Sequence, residues 1–133
     1  MAEGLSPKER VLMQSGSATI LVVEDEILIR MDVVDQLTAL GYDIIEAPSG
    51  RDALEALRNT DDIRILFTDV DMPGDLDGIM LAHEVSRIWP EIGIIVTSGK
   101  AALDDGALPQ GSRFCSKPYI PTAVHAAIQE MLD

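Results

Sequence analysis

Basic residues are scarce in this chain: 10 lysines and arginines stand against 23 aspartates and glutamates in 133 residues, a net charge of −13. So negative a chain repels phosphate backbones and anionic lipid, which argues against direct nucleic-acid or membrane-surface binding. Cysteine is almost absent. Cys115 stands alone, so no internal disulfide can form; with no histidine at metal-ligand spacing and a place inside a predicted strand, it reads as a buried thiol. No stretch approaches the roughly 20 continuous apolar residues of a membrane span, and the N-terminus has no basic-then-apolar leader, so the expected location is the cytoplasm. What remains, 47% apolar and 25% charged residues, is the composition of one globular domain with a single core.

Residues 1–18 differ from the rest. Ser6-Pro7-Lys8-Glu9 offers an N-cap, a proline at the first helical position and a capping-box glutamate, so the segment reads as a short helix or an arm ahead of a domain spanning 19–133. From Thr19 onward strand and helix patterns alternate. Strands are expected at Ile20 to Val23, Tyr42 to Ala47, Ile63 to Asp69, Ile92 to Thr97 and Arg113 to Ser116. Between the first two, Ile27, Leu28, Met31, Val34, Leu37 and Leu40 recur at helical spacing until Gly41. A second helix is expected at Ser49 to Arg58, with Ala53, Leu54 and Leu57 inward, and a third at Ile79 to Trp89, with Leu81, Ala82, Val85 and Ile88 inward and Pro90 ending it. The region from Ala101 to Pro109 carries little helix signal, and the last helix turns Ile120, Val124, Ala127, Ile128 and Met131 inward.

Strands that read as unbroken Val/Ile/Leu runs are buried on both faces, which implies a parallel sheet with right-handed helical crossovers. The expected fold is therefore a doubly wound α/β domain, (βα)5 with a short or irregular fourth helix, five strands in the flavodoxin-like order 2-1-3-4-5. In that order the first and third strands are neighbours at the switch point. Glu24 and Asp25 end the first and Asp69 ends the third, so three carboxylates converge where α/β sheets bind ligands, joined by Thr97 and Lys117 from the fourth and fifth strands.

Carboxylates at 4 Å repel by about 4 kcal/mol per pair at an effective dielectric near 20. A cation has to offset this, and an all-oxygen ligand set suits Mg²⁺. Capping of the next helix would explain one of the acids at Glu24-Asp25 but not Asp69. Asp69 can ligate the metal or act as a nucleophile that forms an acyl phosphate, with Lys117 and Thr97 serving the phosphoryl oxygens. His83, His125 and Trp89 lie on helices away from the strand ends and read as boundary and packing residues.

In this order the motifs resemble the receiver domain of two-component response regulators from about Thr19 to Leu132. Leu-Val-Val-Glu24-Asp25-Glu matches that family's acidic pair, Asp69-Val-Asp-Met-Pro73 its phosphoacceptor loop, Thr97-Ser-Gly its switch hydroxyl, Phe114 its switch aromatic and Lys117-Pro118 its lysine–proline. The resemblance implies that Glu24, Asp25, Asp69 and the backbone carbonyl of Asp71 hold Mg²⁺, that Asp69 accepts phosphate, and that the Lys117–Pro118 bond is cis. It implies a stand-alone signalling protein rather than an enzyme. The phosphodonor would be a sensor histidine kinase or histidine phosphotransferase, the output contact with a downstream protein target, and a homodimer is compatible with it. Two further readings compete: a haloacid-dehalogenase-like phosphatase, in which Asp69-Val-Asp71 supplies nucleophile and acid but Glu24-Asp25 has no task, and a receiver-shaped interaction module that never sees phosphate. The loop from Asp69 to Asp77-Gly78 is one residue longer than the family's usual spacing, and Phe114 replaces the commoner tyrosine.

Overall fold

A computed structural model describes residues 18–99, 106–118 and 120–133. Five strands, β1 (Thr19–Val23), β2 (Asp43–Ala47), β3 (Ile63–Asp69), β4 (Gly93–Ser98) and β5 (Arg113–Ser116), form one parallel sheet in the order β2-β1-β3-β4-β5. Four helices are found among the described residues: α1 (Ile27–Ala39), α2 (Gly50–Asn59), α3 (Gly78–Ile88) and α4 (Pro121–Leu132). The arm or helix expected over residues 1–18 falls, up to residue 17, outside the described residues, as does the weak region expected from Ala101 to Pro109, up to residue 105. None of the described helices is long and apolar enough to cross a membrane.

The central strands are buried on both sides, as their unbroken apolar runs require. One core lies under α2 and α3, with Leu21, Val23, Leu66, Leu81 and Val85; the other lies under α1 and α4, with Ile20, Val22, Val33, Phe67, Val124 and Ile128. Local chemistry sets the helix ends. Ser49 caps α2 through Asp52 N, Asp77 caps α3 through Met80 N at 2.9 Å, and Gly41, at φ 98°, reverses the chain after α1.

The expected inward face of α1 is corrected by the structure. Ile27, Leu28, Met31 and Leu40 are exposed, at 60%, 78%, 52% and 37%, while Val33 and Leu37 carry the packing. The first turn is Ile-Leu-Ile, apolar on every side, so periodicity alone cannot choose which side faces the sheet. Ile88 and Ile120 are likewise exposed, each at a helix boundary where the chain leaves the sheet. Cys115 is half-buried rather than buried, because β5 is an edge strand. Trp89 packs against the α2–α3 core, as expected.

Candidate functional site

The carboxyl ends of β1, β3, β4 and β5 bring the expected polar residues to one edge. Asp69 and Thr97 are register partners on adjacent strands and both are buried. Ligand oxygens of Glu24, Asp25 and Asp69 lie within 4.8 Å of one another. Lys117 reaches across from the end of β5, its Nζ 3.2 Å from Glu24 Oε1 and 3.3 Å from Asp69 Oδ1, and its own N–H donates to Ser98 O at 2.8 Å. The Lys117–Pro118 bond is cis.

Asp69 Oδ1 is buried and accepts no hydrogen bond in good alignment. The ammonium of Lys117 at 3.3 Å satisfies its charge but not its lone pairs. A buried, under-coordinated carboxylate oxygen beside two more acids is a donor set that fits a hard divalent cation. Packing beneath the carboxylates leaves only about 10 Å³, no more than one water's room, so an ion or phosphoryl group must approach from the solvent side.

Burial pushes the carboxyls of both Glu24 and Asp69 above their ordinary range. For Glu24 the acids Asp25 and Asp69 add to the rise, against the Glu26 N–H and Lys117; for Asp69, Lys117 and the Asp71 N–H oppose it. Lys117 feels burial pulling it down, yet the carboxylates of Asp69 and Glu24 outweigh that and hold it above its usual value. The raised carboxyls bind protons more readily folded than unfolded, so the cost that Glu24 and Asp69 impose on the metal-free domain lessens as pH falls through their raised values. A bound cation must displace those protons. Stabilisation by Mg²⁺ is therefore expected to shrink over the same pH range, as melting temperatures measured with and without Mg²⁺ at several pH values would reveal.

Asp25 is not spent on capping, since the N-cap of α1 is Glu26 and no side chain caps that helix; Glu26 N instead donates to Glu24 Oε2 at 3.3 Å. The Asp71 side chain is exposed on the loop after Asp69. On its far side that longer loop carries an exposed Arg51–Asp75 ion pair, and Leu76 covers Gly50. Phe114 is half-buried and pairs with Val96, whereas Cys115 pairs with Thr97, so hydroxyl and aromatic do not share a register position. The histidines are where the sequence put them: His83 is exposed and bonded to Ala107 O at 2.7 Å, and His125 meets Tyr42 Oη at 3.0 Å.

Two residues have roles at the site that the sequence does not announce. Arg30 donates to the Glu24 carbonyl, and Gly78 lies directly against the backbone of Asp69 and Val70. Neither belongs to a side-chain pattern that names a chemistry.

The response regulator receiver domain profile matches residues 20–129. The sensor kinase CckA of Brucella abortus is 38% identical over 130 residues, which are 94% of this chain and 14% of the kinase. The response regulator receiver protein CpdR of the same organism is 32% identical over 85% of this chain and 95% of its own length. Among solved structures, a response regulator receiver protein from Sinorhizobium medicae superposes with a TM-score of 0.81 at 28% identity, over 87% of this chain and 94% of that one.

Proposed function

Because this chain belongs to the response regulator receiver family, we propose that it works as a stand-alone phosphorylation switch. It takes a phosphoryl group from the phosphohistidine of a sensor histidine kinase or histidine phosphotransferase onto Asp69, and signals in the cytoplasm by contact with a downstream protein. Receiver domains act as signalling modules rather than as enzymes. The match along 95% of CpdR supports the stand-alone form, and the match within a sensor kinase supports the class of donor.

The observation that carries the reading is the buried carboxylate of Asp69, one oxygen facing Lys117 and lacking an aligned hydrogen bond, between two further acids and Thr97. In transfer, a carboxylate oxygen of Asp69 attacks phosphorus, the P–N bond to the donor imidazole breaks, and its electron pair returns to that nitrogen. Lys117 and the Thr97 hydroxyl donate to the phosphoryl oxygens, so this chain contributes positioning and charge neutralisation. Glu24, Asp25, Asp69 and the backbone carbonyl of Asp71 would hold Mg²⁺, which when bound neutralises the charge between carboxylates and phosphoryl oxygens. Later, water attacks the same phosphorus, restoring the carboxylate and releasing inorganic phosphate. Thr97 and Phe114 relay the phosphorylated state to the output surface.

The test is intact-mass measurement after incubation with acetyl phosphate. One phosphoryl increment that requires Mg²⁺ is expected, with negligible turnover of a generic phosphomonoester. Rapid turnover would favour the hydrolase reading, and a protein that never labels would be a phosphate-independent module. Mg²⁺ itself should raise the melting temperature: at ten times its Kd a native-state ligand adds about 1.4 kcal/mol, worth on the order of 4 °C for each kcal/mol in a domain of this size. Asp25→Ala is expected to erase most of that shift.

The exposed apolar residues of α1 fit a donor's docking helix. Ile27, Leu28 and Met31 lie beside the acceptor edge, flanked by the acids Glu26 and Asp32. A cleft of about 410 Å³ bordered by Asp32, Lys117 and Pro121 continues the surface. An apolar ridge with an acidic rim suits a partner whose phosphohistidine helix carries basic residues. Leu28→Ala is expected to weaken transfer from a protein donor by about 5- to 30-fold, the effect of losing a 1–2 kcal/mol anchor, while labelling by acetyl phosphate stays unchanged. Equal losses with both donors would place Leu28 in folding rather than docking.

A further inference from the structure

Arg30 lies in the second turn of α1, yet its side chain turns back toward the β1–α1 loop and is only 14% exposed. One guanidinium nitrogen donates to the backbone carbonyl of Glu24 at 2.7 Å, and Nε donates to Glu46 Oε1 at 3.2 Å, just before the end of β2. Glu24 is thereby held at each of its polar positions. Its N–H donates to Ala47 O at 3.2 Å, its carboxylate oxygens meet Glu26 N and Lys117 Nζ, and its carbonyl meets Arg30.

The carbonyl held by Arg30 belongs to the peptide that joins Glu24 to Asp25. Because the peptide unit is planar, fixing the direction of that oxygen also fixes the Asp25 N–H and restricts the direction in which the Asp25 side chain leaves the backbone. No cap performs this task, since α1 begins without a side-chain cap. A cation so near an acidic cluster would by itself repel a second cation, but Glu46 balances it, so the pair orients the peptide with little net charge. The planar fork of arginine makes both bonds at once, which a lysine ammonium on its flexible stem does less well.

We propose that Arg30, braced by Glu46, is a positioning residue for the cation site: it holds the Glu24–Asp25 peptide so that Asp25 is presented to a divalent ion. The inference rests on the Mg²⁺-dependent reading above and adds to it a residue that touches neither metal nor phosphate. It predicts a sign opposite to simple electrostatics. Removing a positive charge near a cation site should tighten Mg²⁺ binding, whereas losing an orienting group loosens it, commonly by about 10- to 100-fold for groups that support metal ligands.

The experiment is titration calorimetry of Mg²⁺ into the metal-free full chain, wild type against Arg30→Gln and Arg30→Lys, with the metal-free melting temperature measured for each. Arg30→Gln is expected to bind Mg²⁺ about tenfold more weakly, with Arg30→Lys between it and the wild type. Affinity equal to or tighter than wild type in Arg30→Gln overturns the proposal. If Arg30→Gln does not fold, Glu46→Ala replaces it, titrated in salt high enough to screen exposed charges: a severalfold loss supports the brace and unchanged affinity overturns it. A wild-type protein that binds no Mg²⁺ overturns the functional reading and this inference together, which separates the two failures.

Discussion

Asp69→Asn is expected to abolish labelling by acetyl phosphate while leaving the domain folded. The amide is a far poorer nucleophile than a carboxylate and lacks the charge that helps to hold a divalent cation. A loss on the order of 100-fold or more in labelling rate corresponds to at least about 2.7 kcal/mol of transition-state stabilisation. The fold should tolerate the change, because the substitution is close to isosteric and Lys117 keeps Glu24 as a partner at 3.2 Å. Burial already disfavours the charged form of Asp69, so a neutral side chain there removes a desolvation cost, and the metal-free melting temperature should hold or rise. Intact mass reads the chemistry and thermal unfolding reads the fold. Full labelling of the variant, with the phosphoryl group mapped to another residue, would remove Asp69 from the acceptor role.

Much of this site was legible because strand chemistry and site chemistry coincide. Val/Ile runs announce buried parallel strands, and an acid closing such a run must lie at the sheet's carboxyl edge. Glu24, Asp25, Asp69, Thr97 and Lys117 are therefore legible in the sequence alone. What stayed hidden depends on orientation rather than residue type. Ile27, Leu28 and Ile29 satisfy any helical face equally, and only the crossover onto β2 decides that Val33 and Leu37 go down while Leu28 goes out. Arg30 reads as the one basic residue of α1, in a helix that also carries Asp32 and Asp35. Its significance comes from Glu46, sixteen positions away along the chain but adjacent across the sheet edge. Tyr42 has strand-like chemistry, but its N–H is committed to Leu37 O at 3.3 Å at the end of α1 and its hydroxyl meets His125 and Gln129 on α4, so β2 starts at Asp43.

Among glycine-to-alanine changes at the described residues, Gly78→Ala should produce the largest loss of stability. Asp77 caps α3, and Gly78, the first helical residue, donates its N–H to Val70 O at 3.1 Å. A Cβ built at Gly78 would lie 1.9 Å from the Asp69 carbonyl oxygen and 2.7 Å from both the Asp69 carbonyl carbon and Val70 Cα. These are backbone atoms, so no rotamer change relieves the overlap. Either α3 withdraws from the sheet or the acceptor loop moves. Overpacking commonly costs about 1–3 kcal/mol, and an overlap with main chain should exceed about 3 kcal/mol, a fall on the order of 10 °C in melting temperature. Gly74 supplies the internal control. It has φ 102° but nothing within 4 Å of a built Cβ, so Gly74→Ala should cost only the left-handed backbone penalty, about 1–2 kcal/mol. Because the Gly78 overlap falls on Asp69 itself, the variant should also label poorly at temperatures where it remains folded, through displacement of the acceptor, whereas Gly74→Ala should label normally. Urea unfolding and acetyl phosphate labelling of the two variants in parallel would decide it. A Gly78→Ala protein that melts with Gly74→Ala and labels at the wild-type rate would mean that α3 does not press on the acceptor loop as closely as this geometry requires.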